Sequence, residues 1–285
     1  MAPGELMVVK CGGNALVARE QVCADVAALV RQGRRVVLVH GGSAEIKRLG
    51  ARLGIPQERL VSPSGVSSRL TTAATIEILL LALLGKVKPE LVTWLLAQRV
   101  RAVGLSGVDG GLLRARRKPA RRAVVDGRTV VVRGDHSGRI VGVAADLLSG
   151  LLDAGYTPVV SPPAIAEDGG IVNVDADRAA AAVAAALGAR QLVLLTGAAG
   201  VLRDEHDDST LIRELRLSPT SPTAVRAAGG MGLKLIAAWE ALLGGVPDVR
   251  VADGRRSRPI LRALAGAGTR VLLAQTEPRE EVVLG

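Results

Sequence analysis

The stretch Val39-His40-Gly41-Gly42-Ser43-Ala44-Glu45, "VHGGSAE", decides how the chain folds. It ends an apolar run, "RRVVLVH" (34–40), in two glycines, and a helix-like segment, "SAEIKRLGARLG", begins at once. A second stretch, "LMVVKCGGNAL" (6–16), repeats the pattern. Short continuous Val/Leu runs bounded by Gly mark strands buried on both faces. "RVRAVGLS", "YTPVVS", "RQLVLLT", "DVRVAD" and "GTRVLLA" extend the series. Helix-like runs separate them, near residues 19–32, 44–53, 71–84 and 89–98, in "VAADLLSGLLDAG", in the alanine-rich run 179–189 and in "MGLKLIAAWEALLGG". This alternation predicts an α/β protein, a three-layer αβα sandwich with a mainly parallel central sheet.

Segment 121–140 differs. "RRAVVDGRTVVVRGD" reads as two β-rich runs around Asp126-Gly127, a hairpin signal. A basic cluster, "RARRKPARR" (114–122), runs straight into it with six basic residues in nine positions. "LSPTSPT" (217–223) is a turn-rich loop, and no internal repeat or low-complexity linker occurs. A chain of 285 residues suits one large α/β domain or two lobes. Two lobes are expected, residues 1–188 and 189–285.

Composition narrows the class. The chain is 48% hydrophobic but has no Phe, one Tyr and two Trp, so the core must be aliphatic. No apolar run reaches the ~18 residues of a membrane span. "MAPGELMVVK" lacks the basic and apolar regions of a signal peptide. Cys11 and Cys23 form no metal pattern and no disulfide framework, which fits a reducing cytoplasm. The net charge of +10 fits either a polyanionic partner or a bias of the composition toward Arg, Ala and Gly. A nucleic-acid-binding protein is disfavoured: almost no aromatics are present to stack on bases, and no recognition motif occurs.

A strand that ends in Gly-Gly before a helix exposes backbone N–H groups to a ligand, and the helix N-terminus adds partial positive charge. Such a turn is an anion site. Two of them on neighbouring parallel strands open at the same sheet edge, where ligands of α/β folds bind. Lys10 stands at the lip of the first turn. Neither a Walker A loop nor a G-x-G-x-x-G pattern is present. Further on, "VNVDADRAA" (172–180) places Asn173, Asp175 and Asp177 at a helix start, where a cap is the plain alternative. "GGMGLKL" (229–235) places Lys234 in the first turns of a helix, opposed by the helix dipole unless something negative is near.

Taken in order, "VVKCGGNAL", "LVHGGSAEI", "SRLT", "GLSGVDGGLL", "NVDADRAA", "LLTGAAGVL" and "GGMGLKL" resemble the amino acid kinase family, in its acetylglutamate kinase branch, over residues 6–273. Within that branch the likeness is to the carrier-protein-linked aminoadipate kinases of lysine biosynthesis. The second turn reads Gly-Gly-Ser where acetylglutamate kinases usually have a third glycine. "GLSGVDGGLLRARRK" with "VVVRGDHSG" resembles the carrier-linked enzymes, and the first strand starts almost at the N-terminus.

The resemblance implies ATP-dependent phosphorylation of a side-chain carboxylate, giving an acyl phosphate. The acceptor's amino group would be amide-linked to a small acidic carrier protein, a cap that stops the free amine attacking the acyl phosphate. It implies that Lys10 meets the γ-phosphoryl group, Lys234 the leaving ADP, and that Asp177 holds both lysines. Gly13, Gly41 and Gly42 would offer N–H groups to the transferring phosphoryl. Ser43, Arg69 and Asn173 would bind the acceptor, Arg69 clamping its α-carboxylate. Thr196, Gly197, Gly200 and Val201 would bind nucleotide beside Lys234. Arg114, Arg116, Arg117, Lys118, Arg121 and Arg122 would dock the carrier. Mg²⁺ would ride on the nucleotide phosphates with no protein ligand. A cytoplasmic homodimer is expected. The alternatives are an N-acetylglutamate kinase of arginine biosynthesis and a regulator that has lost catalysis; Lys10, Asp177 and Lys234 weigh against the second.

Overall fold

A computed structural model describes residues 4–62, 67–118, 120–125, 128–221 and 229–274. The chain runs β1 (Leu6–Cys11), α1 (Arg19–Arg31), β2 (Arg35–His40), α2 (Ser43–Arg52), β3 (Arg59–Val61), β4 (Ser67–Arg69), α3 (Ala73–Ala82) and α4 (Lys88–Ala97). It continues with β5 (Ala102–Gly107), β6 (Leu113–Arg117), β7 (Arg121–Val125), β8 (Arg128–Val132), β9 (Gly138–Val143), α5 (Ala145–Asp153), β10 (Thr157–Ala166) and β11 (Ile171–Val172). Then come α6 (Ala176–Ala186), β12 (Gln191–Thr196), β13 (Glu214–Leu217), α7 (Gly229–Leu243), β14 (Asp248–Asp253), α8 (Pro259–Leu264) and β15 (Thr269–Leu273).

The aliphatic runs form one sheet in the order β13-β15-β14-β12-β1-β2-β10-β6-β9. Its centre, β14 through β10, is parallel; β15 against β14 and β9 against β6 are antiparallel. Side chains alternate between two cores, as the pleat requires. On β1, Val8 joins one core while Met7 and Val9 join the other; on β12, Leu192 and Leu194 oppose Val193 and Leu195 in the same way. Helices α5, α6 and α7 cover the first face, and α1, α4 and α8 the second. The predicted αβα sandwich is therefore the observed one.

With no Phe to fill space, helices come close. Ala179, Ala180 and Ala184 of α6 pack in the same core as Ala237, Ala238 and Ala241 of α7. A Cβ on Gly244 would lie 2.5 Å from that of Ala185.

Three details depart from the local reading. The two helices expected at 71–84 and 89–98 are joined through a wider π turn, Leu83–Val87, in which the Lys88 N–H reaches back to the Leu83 carbonyl. Pro89 follows directly and has no N–H to offer. Next, β10 changes neighbour along its length, pairing β5 over Thr157–Ser161 and β6 at Ile165 and Ala166. Pro162 and Pro163, which cannot donate to a ladder, occupy the crossover. Last, α8 and the strands β3, β4, β6, β9, β11 and β13 add to the expected elements, and Arg114, Arg116 and Arg117 lie on β6 of the main sheet rather than on the hairpin. The first turn of α8 is capped from afar, its Ile260 and Leu261 N–H groups donating to Asp25 Oδ2 at 2.8 and 3.0 Å.

β7 and β8 pair antiparallel as a separate two-stranded ribbon. The Asp126-Gly127 turn itself, and part of the 217–223 loop, lie outside the described residues. No helix among the described residues is long and apolar enough to cross a membrane.

Candidate active site

β1 and β2 run side by side with Cys11 opposite His40, so both glycine turns leave the sheet at one edge. The turns touch. A Cβ on Gly13 would stand 2.5 Å from Gly42 N and 2.6 Å from Ser43 N, and one on Gly41 3.0 Å from Gly13 N. Close approach is why glycine is needed here. The Ala44 N–H donates to the Gly13 carbonyl at 2.9 Å and ties the turns together.

His40 lies behind them, fully buried. Its Nδ1 faces the Gly41 carbonyl at 3.2 Å, and a carbonyl only accepts, so Nδ1 carries the proton. Nε2 then accepts from the Ser161 hydroxyl at 2.7 Å. Burial pushes the His40 pKa down to about 3, so the ring is neutral. Holding the Gly41 carbonyl also sets the direction of the Gly42 N–H, because the peptide is planar.

In front of the turns lie Lys10, Asp177 and Lys234. Lys10 shares the β1 face of Val8, the face that α6 covers. Its Nζ is 2.9 Å from Asp177 Oδ1. Lys234 Nζ donates to Asp177 Oδ1 and Oδ2, both at 2.8 Å. Asp177 stands in the first turn of α6, where the Asp175 carboxylate accepts the Asp177 and Arg178 N–H groups at 3.0 Å.

Burial alone would raise the Asp177 pKa, but the two ammonium groups outweigh it and hold the carboxyl below its usual range. Burial pushes Lys234 down to about 8, with repulsion from Lys10 adding to it against the pull of Asp177. Lys10 goes the other way: burial lowers it, but the Asp177 and Asp175 charges raise it further. Two ammonium groups share the Asp177 carboxylate, and the Asp175 carboxylate acts on both lysines from further off. The unfavourable place of Lys234 near its helix start is answered by Asp177.

These groups line a cleft of about 1250 Å³. Arg59 and Arg69, register partners across β3 and β4, are among the lining residues. Arg69 Nη1 donates to Gln57 Oε1. The wall beside them is stitched by backbone and side-chain bonds. The Thr71 carbonyl accepts the His136 N–H at 2.7 Å, and the His136 carbonyl accepts the Asn173 N–H at 2.8 Å. Asn173 Nδ2 donates to Thr71 Oγ1 at 3.1 Å. Buried Asp135 accepts from the Thr71 N–H and the Ser137 hydroxyl at 2.9 and 3.0 Å. The Lys118 N–H donates to the Ser137 carbonyl at 3.0 Å, which brings Lys118 and Arg139 to the same wall.

The loop after β12 also borders the cleft. Thr196, Gly197 and Gly200 line the cleft. Val201 does not; it is buried, with its N–H donated to Thr269 Oγ1 at 2.9 Å. Gly200 is confined by packing, since a Cβ there would meet Leu211 Cδ1 at 2.6 Å and Thr269 Oγ1 at 2.7 Å. Ser43, Arg69, Asn173 and the three turn glycines all line the cleft.

Of the basic cluster, Lys118 lines the cleft, whereas Arg114, Arg116 and Arg117 do not. Arg114 lies over Gly142. Arg116 Nε and Nη2 donate to Glu167, both at 3.0 Å. Arg117 Nε donates to Asp168 at 2.7 Å, and its Nη1 reaches His136 Nδ1 at 3.0 Å. The Arg117 guanidinium, with the Gly170 N–H, holds the Asp168 pKa down at about 2. The side chains of Arg121 and Arg122 lie outside the described residues.

Sequence reading passed over Asp135, Arg59, Arg139 and the bidentate Arg178–Glu240 pair that braces α6 on α7. Asp135 and Arg178 lie inside quoted motifs, "VVVRGDHSG" and "NVDADRAA", but their partners are far away in sequence; Arg59 and Arg139 lie in no motif. Both thiols are inert: burial raises the Cys11 pKa to about 11 and that of Cys23 to about 12. Among the described residues no group of three His, Cys, Asp or Glu side chains can hold a metal ion. Asp177, the carboxylate between the lysines, has both oxygens engaged by ammonium groups.

The profile of the amino acid kinase family matches residues 5–253. A LysW-aminoadipate kinase of Deinococcus radiodurans is 43% identical over 264 residues, 93% of this chain and 90% of that protein. An acetylglutamate kinase of Frankia casuarinae is 39% identical over 275 residues, 94% of this chain and 73% of that protein. Among solved structures, N-acetylglutamate synthase from Neisseria gonorrhoeae, complexed with coenzyme A and N-acetyl-glutamate, superposes with a TM-score of 0.74 at 26% identity. That match covers 96% of this chain and 61% of the longer one. A cleft with two touching glycine turns over a lysine–aspartate–lysine centre thus sits on a shared fold, and the chain belongs to the amino acid kinase family.

Proposed function

We propose that this protein is an ATP-dependent kinase for the side-chain carboxylate of aminoadipate, or of glutamate, whose amino group is amide-linked to a small acidic carrier protein. The observation that carries the reading is the Lys10–Asp177–Lys234 centre beneath the two glycine turns. An anionic carboxylate must meet an anionic γ-phosphate, and the two ammonium groups lower that barrier. No general base is required, because the acceptor is already deprotonated. One acceptor oxygen bonds to the γ-phosphorus while the bond to the bridging oxygen breaks, and ADP leaves.

Lys10 lies on the transferring phosphoryl and Lys234 on the departing ADP. Asp177 fixes both ammonium groups and binds no metal itself. N–H groups of Gly13, Gly41 and Gly42 face the phosphoryl oxygens. ATP would carry Mg²⁺ on its phosphates, and the ion would spread their charge. The nucleotide occupies the end lined by Thr196, Gly197 and Gly200. Arg69 clamps the α-carboxylate, Asn173 meets the capped amino end, and Ser43 closes the second turn. Residues 1–188 form the acceptor lobe and 189–285 the nucleotide lobe.

The carrier-linked acceptor is favoured over free N-acetylglutamate by Ser43 in the second turn, by the basic strand β6, and by the 43% identity to a LysW-aminoadipate kinase. An ATP-dependent hydroxamate assay with carrier-linked aminoadipate, carrier-linked glutamate and free N-acetylglutamate tests it. Turnover of the carrier-linked acids is expected. Turnover of free N-acetylglutamate alone would move the protein to the arginine-type reaction.

A further inference from the structure

His40 and Ser161 are two polar side chains among Val and Leu, and both are fully buried. The run that leads to His40, Val36 through Val39, is aliphatic and buried. Leu38 and Val39 of β2 pair with Val159 and Val160 of β10, so the next residue on each strand, His40 and Ser161, comes side by side. A buried polar group costs stability unless it is bonded, and two aliphatic residues would fill this place without that cost. Here every side-chain polar atom is bonded: Ser161 Oγ to His40 Nε2 at 2.7 Å, and His40 Nδ1 to the Gly41 carbonyl at 3.2 Å. The chain of bonds starts inside the sheet and ends on the backbone of the second glycine turn.

The peptide it ends on also carries the Gly42 N–H. No peptide bond is cis, and in a trans peptide the N–H points away from the carbonyl, so fixing one fixes the other. Gly42 precedes α2, and its N–H meets no acceptor among the described residues. Packing confines Gly42 from another side. A Cβ there would run into Leu83 Cδ2 and lie 3.4 Å from Val87 Cγ2, on the first and last residues of the π turn. The π turn thus sets where Gly42 sits, and the histidine sets which way its N–H points.

We infer that His40 is a positioning residue for phosphoryl transfer: with its ring held by Ser161, it fixes the Gly41 carbonyl and so aims the Gly42 N–H at the transferring phosphoryl. Neither His40 nor Ser161 lines the cleft, so both act through the peptide. The inference deepens the function proposed above and rests on it. A donor aimed in advance at charge that develops in the transition state raises kcat more than it tightens binding.

Two variants of similar polarity separate this role from mere filling of a polar hole. His40→Asn keeps a donor near the Nδ1 position. His40→Gln places its amide near Nε2, toward Ser161, and leaves the Gly41 carbonyl unheld. With ATP and carrier-linked aminoadipate, His40→Gln is expected to lower kcat by about 10–10²-fold, with the KM for ATP changed by less than about threefold. His40→Asn should exceed it in kcat by at least about fivefold. Ser161→Ala, which frees the ring, should lower kcat by about threefold or more with the same small change in KM. Retention of the nucleotide-induced rise in Tm shows that the variants are folded. A readout that leaves His40 intact is the ¹⁵N spectrum of histidine-labelled enzyme carrying His136→Gln and His206→Gln, in which Nδ1 is expected to be protonated and Nε2 bare. A smaller gap between the Asn and Gln variants, a loss carried by KM alone, or a proton on Nε2 overturns the positioning role and leaves the kinase reading standing. A native kcat in Ser161→Ala overturns the part given to Ser161. Formation of no acyl phosphate by the native enzyme from any of the three acceptors overturns the kinase reading, and the positioning role with it.

Discussion

Two ammonium groups share one carboxylate at the centre of the cleft, and each can be removed alone. In the proposed mechanism, Lys10→Ala deletes a charge that the phosphoryl would meet as negative charge shifts during transfer. Loss of one such donor is expected to lower kcat by roughly 10²–10³-fold, about 3–4 kcal/mol. Steady-state kinetics on the carrier-linked acceptor checks it, and near-normal kcat would remove Lys10 from the mechanism. Lys234 adds a pH dependence. Burial and Lys10 hold its pKa near 8, so the ammonium is charged below that pH and loses its proton as pH rises through it. Because kcat/KM reports the free enzyme, it should fall above about pH 8. Lys234→Arg, always charged, should abolish that alkaline limb whatever its effect on the absolute rate. A limb that persists in the arginine variant would assign the titration to another group.

At the scale of elements, β6 sets the basic surface. Its residues alternate, burying Leu113 and Ala115 and exposing Arg114 and Arg116. The turn after β10 supplies Glu167 and Asp168, which already neutralise Arg116 and Arg117. Such exposed pairs contribute little to stability and exchange readily for another anion. Docking of an acidic carrier on this surface predicts that KM for the carrier-linked acceptor rises with ionic strength. It further predicts that Glu167→Gln with Asp168→Asn lowers that KM by about two- to fivefold, because the arginines are released. A KM indifferent both to salt and to these substitutions would reduce the cluster to a solvated strand.

For the whole molecule, the sheet is continuous across the proposed lobe boundary. Gly188 lies just past α6 with φ +60°, the left-handed turn that ends a helix. The next strand, β12, pairs directly with β1 over Met7–Lys10. Two lobes sharing a central strand pair cannot open independently without breaking the sheet. Calorimetry should therefore show one unfolding transition, and two well-separated transitions would contradict the shared sheet. Saturating nucleotide should shift that transition upward, by about 2.7 kcal/mol of added stability at a hundred times Kd.

The sequence by itself determined the seven aliphatic strands, the main helices and the glycine turns. Each is a local property: an aliphatic run of strand length, a helical period, a small residue where chains touch. It also carried the family resemblance, through seven short motifs in order. Tertiary structure alone decided which side chains meet. Asp177 could be read as a helix cap; only the β1 pleat and the seating of α6 and α7 bring Lys10 and Lys234 to it at 2.8–2.9 Å. Val201 sits in a loop that reads as ligand-facing, yet Thr269, distant in sequence, claims its N–H. Helix α8 was invisible because its cap, Asp25, comes from 235 residues earlier. The acidic partners of Arg116 and Arg117 lie 51 residues away. Periodicity reports whether a position is buried, but the identity of its neighbour depends on how separate elements pack, and no local pattern holds that.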